Sequence, residues 1–374
     1  MRVDFAPSDR SSIGIEWELW LVDRTSGATA PVAEAVLERC GDAPGRPIRG
    51  EYLTTMIELV SGVHRTVGGA VDDLRGSLAQ VRSAAADLGV GLLGAGTHPL
   101  ARALDQPLVS NPRYDAVADL NGYWAHQVTI CGIHVHVGID TPQKVMPIIN
   151  GLCTVYPYLL AVSCSSPYWE GLDTKYASQR TMLYQQLATN GLPYPLATWH
   201  EFEQFVADLT DTHLITDASE IRWDIRPSPR FGTVESRIAD SVPTFAEIAG
   251  IAALTQCFVE HLARTYEQDR PIEVLPPWLV RENKWRAARY GMDAGVIVPG
   301  TTLHEVPLRE GLLGWLDRLT PVAADLDCRG ELESIATVVE HGVSSERQRR
   351  AGGPRQALAQ LLAETGAEAP GHDH

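Results

Sequence analysis

The stretch CGIHVHVGID, residues 131–140, decides how the rest of the chain is read. In an extended strand successive side chains alternate faces, so Ile133, Val135, Val137 and Ile139 point one way and His134, His136, Gly138 and Asp140 the other. One face is built to pack; the other carries two imidazoles two residues apart, an edge that suits a divalent metal or a phosphate. Alone, a His-x-His pattern also occurs in half-exposed strands that do no chemistry. Its weight here comes from the same device recurring in three other segments.

GIEWELWLVD (14–23) sets Glu16, Glu18 and Trp20 on one face against Ile15, Trp17, Leu19 and Leu21 on the other. Carboxylates on a strand otherwise made for burial cost on the order of several kcal/mol each unless paired or bound to a cation. EYLTTMIELV (51–60) places Glu58 inside the apolar run Met56, Ile57, Leu59, Val60. Glu51 falls on the opposite face of a regular strand, so a bulge or a strand start is needed to bring it to the same site. IRWDIRPSPRFGTVESRIAD (221–240) reads as a hairpin turning at RPSPRFG,. It presents Arg226, Glu235 and Arg237 together, which suits a metal ligand beside a phosphate clamp or, equally, a plain salt bridge.

Added up, Glu16, Glu18, Glu58, His134 and Glu235 are the expected metal ligands, with His136 and Arg237 beside them and Glu51 as a further candidate. Oxygen-rich ligation with little imidazole suits magnesium or manganese and not zinc. Sites of this make-up handle nucleotide phosphates. The chain has neither a GxxxxGK[ST] loop nor a Rossmann glycine pattern, so metals and arginines on a sheet would have to hold those phosphates,.

Composition narrows the partners. The 374 residues are 44% hydrophobic, the make-up of a soluble globular chain, and no internal repeat or linker stands out, so one domain over residues 1–365 is expected,. With 31 basic and 47 acidic residues the formal charge is −16, which argues against nucleic acid or an anionic membrane as partner,. MRVDFAPSDR lacks the apolar core of a signal peptide, and the apolar run Ile148 to Cys164 is interrupted by Gly151 and Pro157, as in a core helix,. The six cysteines form no CxxC and read as reduced, buried thiols of a cytoplasmic protein,. Helical periodicity marks 67–88, 142–163, 245–266, 282–291, 308–319, 331–340 and 355–365; 97–113 reads as a loop, and 366–374, ending in GHDH, as a disordered tail. Arg113 in that loop, and Tyr176 and Arg180 in SPYWEGLDTKYASQR, are candidates for holding a substrate carboxylate, or members of a solvated loop and a surface turn. Lys284, with Arg286 and Arg289, is a candidate nucleotide-phosphate contact or part of a solvated helix face.

GIEWELWLVD, the GTHP loop, NPRY, CGIHVHVGI, SPYW with YxSxR, WDIRPSPRFGTVESRIAD and NKWRAARYG follow one another across nearly the whole chain. Together they resemble the bacterial carboxylate-amine ligases of the second glutamate-cysteine ligase family, relatives of glutamine synthetase. The resemblance implies an α+β fold in which a curved, mostly antiparallel sheet forms a funnel with helices packed outside. It further implies a homodimer acting on small molecules with ATP and Mg²⁺ (or Mn²⁺). Matched position by position, Glu16, His134 and Glu235 would hold the metal on the ATP phosphates, and Glu18 and Glu58, with Glu51, the metal nearer the carboxylate substrate. His136 would contact the nucleotide phosphates; Arg237, with Arg226, would steady the phosphoryl group. The implied reaction joins the γ-carboxylate of glutamate, through an acyl phosphate, to cysteine or another amine. Two other classes share parts of this pattern: a metal-dependent amide hydrolase, which needs further His and Asp ligands on later strands, and a nucleotide or metabolite binder that keeps the fold without turnover.

Overall fold

The computed structural model describes residues 2–41 and 48–370, apart from the side chain of Arg113. Among these residues seven strands form one sheet: β1 (Ile13–Asp23), β2 (Ile48–Gly50), β3 (Met56–Val60), β4 (Val90–Leu93), β5 (Gly132–Gly138), β6 (Ile225–Ser228) and β7 (Thr233–Asp240). The order is β6-β7-β5-β1-β3-β2, with β4 also paired to β1, and every pairing in it is antiparallel. This is the expected α+β architecture, with the long β1 at its centre.

The alternation read from β1 divides the molecule. Ile13, Ile15, Trp17, Leu19 and Leu21 join Ile133, Val135 and Val137 in the main core. Three helices cover that face: α1 (Val67–Ala86), α3 (Val145–Ser163) and α4 (Phe245–Glu267), while the short α2 (Pro112–Asn121) lies elsewhere. α3 is long and apolar enough to cross a membrane, but it is buried within the fold and its apolar side chains serve the core. The opposite face holds a smaller cluster of Trp20, Met56, Leu93 and Cys131, and leaves the Glu16 and His134 side open to a cavity.

Two expectations change. The loop expected through Arg113 ends two residues sooner, because Pro112 starts α2 at a position where its missing N–H costs nothing,. Within the expected tail, Ala367 and Glu368 carbonyls accept the N–H groups of Phe245 and Ala246 at 2.9 and 2.8 Å. They occupy donors that the first turn of α4 cannot bond internally, so this part of the tail is ordered by a helix end. The GHDH ending lies outside the described residues.

Candidate active site

Register brings the separate motifs to one place. Glu16 stands opposite His134 on one side and Val60 on the other, Glu18 opposite Glu58, and Glu235 between His136 and Arg226. Directly opposed residues on one face have Cβ atoms about 5 Å apart, close enough for two or three to share one ion. Among the described residues the ligand atoms converge in three groups, each within 4.8 Å: Glu16, His136 and Glu235; Glu16, Glu58 and His134; Glu18, Glu51 and Glu58. His136 therefore sits with Glu16 and Glu235 in the place the resemblance gives to His134, and His134 bridges toward Glu58.

The imidazoles are oriented by neighbours. His136 Nδ1 is 2.9 Å from the Thr233 hydroxyl, which leaves Nε2 facing Glu16 at 3.6 Å and Glu235 at 3.9 Å. His134 Nδ1 lies 2.8 Å from Glu16 and its Nε2 3.6 Å from Glu18. Burial alone would raise the Glu16 carboxyl, but hydrogen bonds from both histidines outweigh it and hold the group well below the usual carboxylate range. Burial likewise opposes protonation of His136, and Glu235 and Glu16 reverse the sign and raise it.

Glu235 is fully buried and clamped. Arg226 Nε donates to it at 2.6 Å, and Arg237 Nη1 donates to its other oxygen. Desolvation pushes this carboxyl up, yet Arg226 and Arg237 together bring it below the ordinary range. Arg237 is fixed in turn by the Tyr184 hydroxyl, which accepts from its Nε at 3.0 Å and donates to the Arg222 carbonyl at 2.9 Å. An extra residue between Ser236 and Ala239 makes a β-bulge opposite β5. The carbonyls it frees at Arg237 and Ile238 accept from the Arg180 guanidinium at 3.2 and 3.3 Å, so Arg180 braces the strand that carries Arg237,.

The far end has a different character. Burial and then Glu18 push Glu51 up to about 8, and burial followed by Glu51, Glu16 and Glu18 drives Glu58 well above its ordinary value. These acids face one another, and a divalent cation is the partner that resolves such a set. The donor set fits magnesium or manganese: carboxylate oxygens with one imidazole per group at most,. Glu16, Glu18, Glu51, Glu58 and His134 open into a cavity of about 780 Å³, which Arg180, Arg222, Arg226 and Arg237 also line.

The match to known proteins follows this geometry. The sequence profile of glutamate-cysteine ligase family 2 matches residues 12–364. The chain belongs to that family. A protein named "Putative glutamate--cysteine ligase 2" from Micrococcus luteus is 47% identical over 366 residues, covering 96% of this chain and 91% of its own length. Among solved structures, a glutamate-cysteine ligase of Francisella tularensis in complex with AMP superposes with a TM-score of 0.64 at 13% identity, over 96% of this chain and 88% of that one. A bifunctional glutathione synthetase of Pasteurella multocida gives 0.66 at 14% identity, over 95% of this chain but 52% of that longer one. These two likenesses establish the fold; the family match makes the chain an ATP-dependent carboxylate-amine ligase that works on small molecules with ATP and a divalent metal.

Not every candidate read from the ligase sequence reaches the cavity. Lys284 is buried and its Nζ lies 2.7 Å from Asp224, both side chains 4% exposed, so it is an internal ion pair and not a phosphate contact. Arg286 pairs with Glu282 and Glu305. The Tyr176 hydroxyl accepts from Trp285 Nε1 at 3.2 Å and its ring lies under Arg289, away from the cavity lining. Arg113 is on α2, and its side chain lies outside the described residues. Tyr184 was missed, although a signal existed. Ser178 caps a helix over Gln179–Tyr184, which puts Arg180 and Tyr184 four residues apart on one face,. Arg180 stacks 5.5 Å over the Tyr184 ring.

Proposed function

We propose that this ligase activates the γ-carboxylate of glutamate with ATP and joins it to an amine, using Mg²⁺ or Mn²⁺ held by Glu16, His134, His136 and Glu235 and by Glu18, Glu58 and Glu51. The observation that carries the reading is Glu235, a buried acid that holds two guanidinium groups in fixed positions beside the Glu16 and His136 ligand atoms. Cations fixed in advance stabilise charge on a transferring phosphoryl group without reorganising during the step.

A bound divalent metal would neutralise phosphate charge and align the γ-phosphorus. The substrate carboxylate oxygen attacks that phosphorus in line, the P–O bond to ADP breaks, and Arg237, steadied by Tyr184, balances the charge in flight. His136 and Arg226 face the phosphates from β5 and β6. The amine nitrogen then bonds to the acyl carbon, the acyl C–O bond to phosphate breaks, phosphate departs with the electron pair, and the ammonium proton passes to solvent. No protein nucleophile is required, so the cysteines are dispensable for chemistry. Cysteine is the acceptor in the relatives' names; the reading here extends to other amines.

The same family reading takes residues 1–365 as one catalytic domain of a cytoplasmic homodimer. The deciding experiment is phosphate release by purified protein with ATP, Mg²⁺ and glutamate, with and without each of a panel of amines, product masses being read in parallel. Amine-dependent release with a matching γ-glutamyl amide is expected. ATP binding without turnover, or zinc-dependent amide hydrolysis without ATP, would overturn the reading.

A further inference from the structure

The cavity has two unlike ends along the strand axis. Thr233 is opposite Gly138 and Glu235 opposite His136, so the β6–β7 turn, with Phe231 edge-on to His136 at 5.8 Å, marks one end. Glu18 accepts from the Gly132 N–H at 2.5 Å, and Met56 is opposite Trp20, so Ile130, Met56 and Tyr52 mark the other. Arg226, Arg230 and Arg237 stand toward the first end, and Arg180 and Arg222 toward the second. The second is walled by Tyr52, Met56, Tyr114, Val117, Ile130 and Leu187, with Tyr52 and Tyr114 packed edge to face at 5.2 Å.

From this asymmetry we infer that the acceptor pocket is the end beyond Glu18 and Glu51, and that it takes a primary amine carried on an apolar, preferably aromatic, body in preference to ammonia or cysteine. The inference rests on the reading of glutamate as donor. Glutamate is charged at every end and gains nothing from a wall of this composition, whereas an arylalkyl amine buries its body there. The wall adjoins the Glu18, Glu51 and Glu58 ligand atoms, so an amine held by it reaches the acyl carbon formed at that metal set. Arg180 reaches Gly132 at this end, where a Cβ would run into its guanidinium, but its Nη atoms are committed to the Arg237 and Ile238 carbonyls.

The test uses the purified full chain with ATP, Mg²⁺ and glutamate. Hydroxylamine, too small to need the wall, traps the acyl phosphate as γ-glutamyl hydroxamate; ammonia, ethylamine, phenethylamine and cysteine are then compared. Phenethylamine is expected to exceed ethylamine in kcat/KM by about tenfold or more, the worth of a buried ring. In Tyr114→Ala the ratio of phenethylamide to hydroxamate should fall about tenfold by the same argument. Hydroxamate formation with no preference for phenethylamine, or with cysteine or ammonia preferred, overturns this inference and leaves the donor reading intact. No hydroxamate from glutamate overturns the donor reading and this inference with it.

Discussion

Glu235 and Glu58 are both buried carboxylates on the same face of one sheet, and their surroundings treat them in opposite ways. Glu235 is met by Arg226 and Arg237, which hold it ionised against its burial. Glu58 is met first by other acids, Glu51, Glu16 and Glu18, which add to burial and favour its protonated form. The first end brings acids together with guanidinium groups and imidazoles. The second brings acids to face acids. One sheet thus carries an end of mixed charge and an end of like charge, set by which neighbours the register supplies.

The largest effect expected from this contrast is on catalysis. Arg237→Ala leaves Glu235 paired to Arg226, so the fold is kept, while product formation should fall about 10³-fold or more, the worth of an arginine at a transferring phosphoryl group. Wild-type turnover in a folded Arg237→Ala protein would break the account of that end. The contrast itself is sharpened by a pair of isosteric changes in metal-free buffer near pH 8. Glu235→Gln removes the charged partner of two half-buried guanidinium groups and should cost about 1.5–3 kcal/mol in urea unfolding,. Glu58→Gln removes a charge that its neighbours oppose and should stabilise by about 1 kcal/mol. Equal destabilisation by both would show that the two ends do not differ.

A pH series reads the same difference without mutation. Glu51 is pushed from its ordinary 4.5 to about 8, and Glu58 is also raised, so between these values the folded metal-free chain binds protons that the unfolded chain has released. Stability then falls as pH rises from about 4.5 through 8, because the slope follows protons bound in the unfolded minus the native state. Mg²⁺ binds the ionised acids and should restore what is lost. Its gain, about 2.7 kcal/mol at a hundredfold excess over Kd, should be realised at pH 8 and shrink toward pH 6 as protons compete. Thermal melts with EDTA or Mg²⁺ at the two pH values check this; an equal Mg²⁺ shift at both would contradict it.

The sheet and most donors were legible because alternation is local: Glu16, Glu18, His134, His136, Glu58 and Glu235 each declare a face within a few residues. Even the condition attached to Glu51 holds, since β2 ends at Gly50 and β3 begins only at Met56, and the irregular segment between them turns Glu51 toward Glu18 and Glu58. What stayed hidden depends on partners distant in sequence. Lys284 looks like a phosphate contact until Asp224, on another element, takes its charge. Arg180 lines the cavity, and the bulge in β7 also presents carbonyls to it, a bracing role its own segment does not show. The grouping of His136 with Glu16 and Glu235 follows from register, which puts Glu235 across from His136, and no single strand encodes that.

The smallest effect separates the donor face from the thiol that lies nearest in sequence to it. Cys131 immediately precedes β5, yet its side chain belongs to the apolar cluster with Trp20, Leu53, Met56 and Leu93, and burial raises its thiol well above the usual range. A thiol held protonated there is neither nucleophile nor metal ligand. Cys131→Ser keeps the backbone bonds from Cys131 to Gly96 and from Ser241 to Cys131, and puts a more polar hydroxyl into an apolar site, at a cost of about 1–2 kcal/mol,. Amide formation should stay within about twofold of wild type below the melting transition, since no step uses this group. A folded but inactive Cys131→Ser protein would place a thiol in the reaction and undo the division between the face that packs and the face that reacts.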